Sequence, residues 1–187
     1  MTNKRFDYTG FTLIELLVVI AIIAILAAII APNAFRAIEK AKISATIADL
    51  RSIKNAATAY YADTGTWPPW CSPAATPPVP CTALITNPGN VTGWDGPYVE
   101  KWPTPKWGGP NRAYRFVNAA WEDWDGDGTW DLAYFVQMSP VPLPSAQKID
   151  REIDGVTGPF RGSVHYATWA NPSYIRMLIF TEVTVNY

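Results

Sequence analysis

Gly10-Phe11-Thr12-Leu13-Ile14-Glu15-Leu16-Leu17-Val18-Val19-Ile20-Ala21-Ile22-Ile23-Ala24-Ile25-Leu26-Ala27-Ala28-Ile29-Ile30-Ala31 decides how the chain is built. A short polar leader with Lys4 and Arg5 precedes it, one acid interrupts it, and Pro32 closes it. Wound as a helix, the 21 residues from Phe11 to Ala31 span about 30 Å, the hydrocarbon thickness of a bilayer. A membrane-crossing helix is therefore expected. A cleaved secretory signal needs a shorter apolar run, roughly 7–15 residues, and then a small-residue cleavage site. Asn33-Ala34-Phe35-Arg36 offers no such site. A plain anchor leaves Glu15 unexplained, because a carboxylate in hydrocarbon costs roughly 2.5–3.5 kcal/mol or more without a partner.

Gly10 followed by Phe11-Thr12-Leu13-Ile14-Glu15-Leu16-Leu17-Val18 resembles the processing site of type IV pilins and type II secretion pseudopilins. The resemblance implies cleavage between Gly10 and Phe11 by a prepilin peptidase, and methylation of the new Phe11 amine by the same enzyme's methyltransferase activity. It also supplies a partner for Glu15, the Phe11 ammonium of a neighbouring subunit. An acid that meets a cation from the next helix favours association and fixes axial register. The implied partners are identical subunits in a helical homopolymer and an inner-membrane assembly platform. The implied location is a single-pass inner-membrane precursor with its head outside the cytoplasm, then a periplasmic or cell-surface filament.

Beyond Pro32, where a missing donor and ring crowding favour a bend, the sequence stays rich in helix formers to Ala62. Ile43, Ile47, Leu50, Ile53, Ala57 and Tyr60 recur at spacings of three and four, giving one apolar stripe on a polar helix. The stripe needs a cover, and the downstream residues are the candidate. Gly65, Pro68 and Pro69 stop the helix. The expected organisation is a removable leader (1–10), a helix (11–62, with 11–31 as membrane span and filament core) and a β-rich head (63–187). The fold class is α+β, a long helix packed on a small antiparallel sheet.

Cys71 and Cys81 flank a proline-rich loop. An exported head favours their disulfide, which would contribute about 2–3 kcal/mol in the chain-entropy view, and a cytosolic head favours free thiols. Thr82–Pro88 reads as a short helical turn with Thr82 as cap. Asn87-Pro88, Trp94-x-Gly96-Pro97-Tyr98 and Pro103 to Trp107-Gly108 resemble the helix-to-sheet loop of the major pseudopilin of type II secretion. The long stretch past Met138 and the proline loop depart from that pattern. Strands are expected at Ala113–Asn118, Leu132–Met138, Tyr174–Thr181 and Val183–Asn186, with Ser139–Pro144 as a linker or surface loop.

Asp123-Trp124-Asp125-Gly126-Asp127-Gly128-Thr129-Trp130-Asp131 has the form D-x-D-x-D-G-x-x-D, the opening of an EF-hand-type calcium loop. Asp123, Asp125, Asp127 and Asp131 stand as ligands at positions 1, 3, 5 and 9, and Thr129 stands where a backbone carbonyl would bind. Position 12 is Tyr134 instead of a glutamate, so Asp150, Glu152, Asp154 or water would have to complete the shell. The expected Ca2+ affinity is about 10⁻⁴–10⁻³ M. A solvated acidic turn between two strands is the alternative.

The chain has 15 basic and 16 acidic side chains, and loss of Lys4, Arg5 and Asp7 with the leader leaves a net charge of −2. No basic face points to nucleic acid. One histidine, His165, and the lack of a phosphate loop, dinucleotide fingerprint or zinc cluster speak against an enzyme. The 25 aromatic residues and 17 prolines indicate a loop-rich head held by large rings and fixed φ angles. A polymerising subunit, read as the major pseudopilin, is the leading function, and a surface pilus for adhesion, motility or electron conduction is the second. A membrane-anchored, calcium-stabilised binding module using exposed Trp67, Trp70, Trp107, Trp124 or Trp169 is the third.

Overall fold

The computed structural model describes residues 11–108, 112–125, 127–155, 158–167 and 173–182. In chain order the elements are α1 (Leu13–Thr64), β1 (Ala113–Glu122), β2 (Asp131–Val141), α2 (Leu143–Asp154), β3 (Phe160–Arg161), β4 (Val164–Tyr166) and β5 (Ser173–Glu182). The chain divides into two compact units, Met1–Lys40 and Ala41–Tyr187, and α1 contributes to both.

In the first unit every side chain from Leu13 to Ile38 is exposed. The helix there is long and apolar enough to cross a membrane, with none of its apolar window buried by the protein. Its backbone stays helical through Pro32. Side chains this apolar have no soluble resting place, so lipid or other apolar helices must cover them.

In the second unit the stripe read from the sequence is the buried one. Ile43, Ile47, Leu50, Ile53, Ala57 and Tyr60 are all buried, joined by Thr46 and Ala56. They form one core with Tyr114 and Phe116 of β1, Val136 and Met138 of β2, and Ile175 and Met177 of β5. Each large aliphatic side chain removed from water there contributes about 1.5–3 kcal/mol. The helix ends where expected, at Gly65, whose φ of 70° lets its N–H reach the Tyr61 carbonyl at 2.8 Å.

Between α1 and β1 the backbone is irregular and pinned by aromatic donors. The Trp94 indole donates to the Ala83 carbonyl (2.9 Å), the Tyr98 hydroxyl to Asp63 (2.8 Å), and the Trp102 indole to the Tyr114 carbonyl (3.1 Å). Gly96 is required in this loop, since a Cβ there would sit 2.5 Å from the Trp94 ring. Cys71 and Cys81 form the disulfide, and Cys71 exchanges two backbone hydrogen bonds with Phe116, tying the proline loop to the sheet. The turn at Thr82 forms, but its carbonyl, which accepts the Ile85 and Thr86 N–H groups, holds it.

The sheet is antiparallel throughout, in the order β1-β2-β5-β4-β3. The three long strands overlap the stretches expected from composition and extend beyond them; Val183–Asn186 lies outside the described residues. One sequence expectation is overturned. Ser139–Pro144 is no linker: β2 continues to Val141, and α2 starts at Leu143. Pro140 sits where the β2–β5 register shifts, a place that needs no donor, and Pro142 and Pro144 occupy the start of a helix, where a missing N–H costs nothing. Ala146 and Ile149 of α2 then join the main core.

Strand alternation places a second, smaller cluster on the other side of the sheet: Trp124, Ala133 and Phe135, flanked by Val117, Ala120 and Leu178. A bulge between Val117 and Ala120, with Ala119 at φ 58°, turns the end of β1 toward the acidic loop.

Candidate functional site

The first site is the start of α1. Glu15 accepts a hydrogen bond from the Thr12 N–H (2.9 Å) and another from the Thr12 hydroxyl (2.6 Å), while the Thr12 hydroxyl accepts from the Glu15 N–H (3.3 Å). This is a reciprocal capping box, in which cap and third residue satisfy each other's donors. Thr-x-x-Glu spells it in the sequence, where reading Glu15 only as an unpaired membrane acid passes over it. Phe11 is 73% exposed. Gly10 lies outside the described residues.

The second site is the acidic loop. Carboxylate oxygens of Asp123, Asp125 and Asp127 lie within 4.8 Å of one another. The backbone folds around them: the Asp127 N–H donates to Asp125 (3.1 Å), the Gly128 N–H to Asp123 (3.2 Å), and both the N–H and the hydroxyl of Thr129 to Asp127 (2.7 and 2.6 Å). The Thr129 bonds hold the Asp127 carboxyl below the usual carboxylate range. Gly128 takes φ 88°, so the turn needs glycine there. Gly126 lies outside the described residues.

Asp131 is placed differently. It opens β2 opposite Glu122, it is 2% exposed, and it lies outside the trio; its Oδ1 has no hydrogen-bond partner. Tyr134, at position 12, is buried, its ring 5.3 Å from that of Trp67 and 6.0 Å from that of Phe180. Of the remote acids, Glu152 is exposed on α2 and the other two are engaged elsewhere. Asp150 accepts the Gly158 N–H, and Asp154 accepts the Ser163 hydroxyl and the Val164 N–H, joining α2 to β4.

The tryptophans are distributed against expectation. Trp107 and Trp124 are buried, at 7% and 4% exposure, and Trp67 is stacked between Tyr61 and Phe180. Trp169 lies outside the described residues. Trp70 is exposed as expected, but among the described residues the most open indoles are Trp121 and Trp130, at 60% and 63%. Trp121 ends the twisted part of β1 and Trp130 the acidic loop, where a wet and an apolar side chain alternate, so composition alone does not separate them. His165 is 5% exposed, its ring stacked 4.1 Å from Trp124. Burial, helped by the Arg176 charge, lowers its pKa to about 4.

Two family models match the chain. The prokaryotic N-terminal methylation motif covers residues 5–31, from Arg5 in the polar start of the chain through the apolar part of α1. The C-terminal domain of PilW covers residues 37–128, from the amphipathic part of α1 to the acidic loop. No curated protein and no solved structure matches. An exposed apolar helix that starts at a methylation motif, continued by a PilW-like segment and a five-stranded antiparallel head, makes this chain a type IV pilin-like protein.

Proposed function

We propose that the chain polymerises into a type IV pilus-like filament and serves as the major pseudopilin of a type II secretion system, its growing filament pushing exported proteins through a channel. One observation carries the polymer reading: the helix from Leu16 to Ala31 presents an apolar surface on every side, within a motif that implies peptidase processing. In the membrane, lipid covers that surface. In a filament, copies of the same helix do. The finer assignment rests on the segment from Asn87 to Gly108, whose prolines, Gly96 and tryptophans build the pinned loop between α1 and β1.

A surface type IV pilus is the second reading. It is favoured by the disulfide-closed proline loop and by α2 to β5, the two parts of the head that depart from the major-pseudopilin pattern. Deleting the gene separates the two. The pseudopilin reading expects exported proteins to accumulate in the periplasm with surface fibres unaffected; normal export together with lost fibres contradicts it.

We further propose that the trio Asp123, Asp125 and Asp127, with the Thr129 carbonyl and water, takes Ca2+. Three carboxylates this close repel one another, and a divalent cation relieves that repulsion. Asp131, buried beside Glu122 at the start of β2, would reach the ion through water, as position 9 often does in such loops.

A further inference from the structure

On the sheet face opposite α1, a cleft of about 350 Å³ opens between the end of the acidic loop, the β3–β4 hairpin and β5. That volume lies within the range of small-ligand sites, about 300–1,000 Å³. Two exposed rings from different elements form part of its wall: Trp130 at 63% and Phe160 at 46% exposure. Its polar lining is fixed in advance. The Arg176 guanidinium lies 4.9 Å from the Phe135 ring centre and 4.6 Å from that of Tyr174, donates to Gln137 (3.2 Å), and meets Glu122 at 2.8 Å. His165 is clamped against Trp124. A ligand would therefore find its polar partners already ordered, which lowers the entropic cost of binding.

The charges narrow the chemistry. Glu122 and Arg176 neutralise each other and Asp123 adds a further carboxylate to the lining, so the cleft favours neither a phosphate nor a free carboxylate. What remains is apolar ring faces beside hydrogen-bonding groups. That pairing suits a pyranose, whose C–H face packs on an aromatic ring while its hydroxyls bond to carboxylate, guanidinium and imidazole.

We infer that this cleft, walled by Trp130 and Phe160 and carrying Glu122 and Arg176, is a binding site for a neutral sugar residue of a glycan. The site would give the filament or its precursor a ligand independent of assembly.

The test uses the full chain in a sugar-free detergent, titrated with the methyl glycosides of glucose, galactose, mannose and N-acetylglucosamine and with trilysine as a cationic probe. Binding is read by tryptophan fluorescence and saturation-transfer NMR. At least one glycoside is expected to bind saturably, and Trp130→Ala and Phe160→Ala are each expected to weaken it by about tenfold, the scale of a lost ring contact. Glu122→Gln should weaken it as well, and Trp70→Ala, at the disulfide loop, should leave it unchanged. Both ring variants alter exposed positions, and unchanged circular dichroism and melting would confirm that they fold. No saturable binding by any glycoside up to about 50 mM, equal binding by folded Trp130→Ala and Phe160→Ala, or binding of trilysine alone would overturn the assignment.

Discussion

Glu15 has one role in the structure and a second under the filament proposal. In the single subunit its carboxylate closes the capping box with Thr12. In a polymer its charge would face the ammonium of a neighbouring Phe11. Two substitutions separate the roles. Glu15→Gln keeps a side chain able to cap but removes the charge, and should abolish filaments while leaving the subunit in the membrane. Thr12→Ala removes the cap, at a cost of about 1 kcal/mol, and should still assemble. Electron microscopy of cells making each variant checks this; abundant filaments from Glu15→Gln would contradict the charge role.

His165 gives a second residue-scale expectation, this time for the head. Its pKa is about 4 in the folded protein, against the ordinary 6.5 of an unfolded histidine, because burial and Arg176 oppose the imidazolium more than Asp154 and Asp123 favour it. A depressed histidine pKa means that the unfolded chain takes up the proton first. Stability should therefore be complete above pH 6.5 and fall as pH drops from there toward 4, by up to about 2–3 kcal/mol. His165→Phe keeps a ring against Trp124 and removes the titration. The melting temperature of the wild-type protein should fall relative to that of His165→Phe as the pH drops across this range, and parallel curves would count against it.

At the scale of elements, the acidic loop makes the sharpest prediction. If Ca2+ binds with a dissociation constant of about 10⁻⁴–10⁻³ M, about 10 mM of the ion should stabilise the head by roughly 1–3 kcal/mol. Differential scanning calorimetry with calcium and with chelator reads this as a raised melting temperature. Asp125→Asn, in the exposed part of the loop, should shrink the difference, and identical melting with ion and chelator would remove calcium from the account.

The same scale shows what the sequence makes readable. A stripe at spacings of three and four can only be one face of a helix, so Ile43 to Tyr60 identify their own burial before any partner is known. The three long strands announce themselves by β-branched and aromatic runs. The prolines at 140, 142 and 144 mislead, because their local preference for loops says nothing of a register shift or a helix start that can hold them. The β3–β4 hairpin is too short to carry a period and forms only because β5 offers an edge and Asp154 ties Val164 to α2. The assembly motif is local and therefore legible; the cleft is not, since Glu122, Trp130, Phe160 and Arg176 come together only through the strand order.

At the scale of the whole molecule, the chain has two units with opposite solvent requirements. Residues 11–40 expose apolar surface that water cannot accommodate, and the described residues beyond 40 bury most of theirs in a head with its own core, a disulfide and a pinned loop. Processing after Gly10 would let the first unit leave lipid for a bundle of its own copies while the head stays folded outside. The direct test is electron cryo-microscopy of filaments sheared from cells that produce the chain. The account predicts a helical polymer in which every subunit begins at Phe11, residues 11–31 pack at the centre, and each Glu15 lies beside a neighbour's Phe11 nitrogen. A chain that keeps residues 1–10 and remains in the membrane as separate subunits would contradict it.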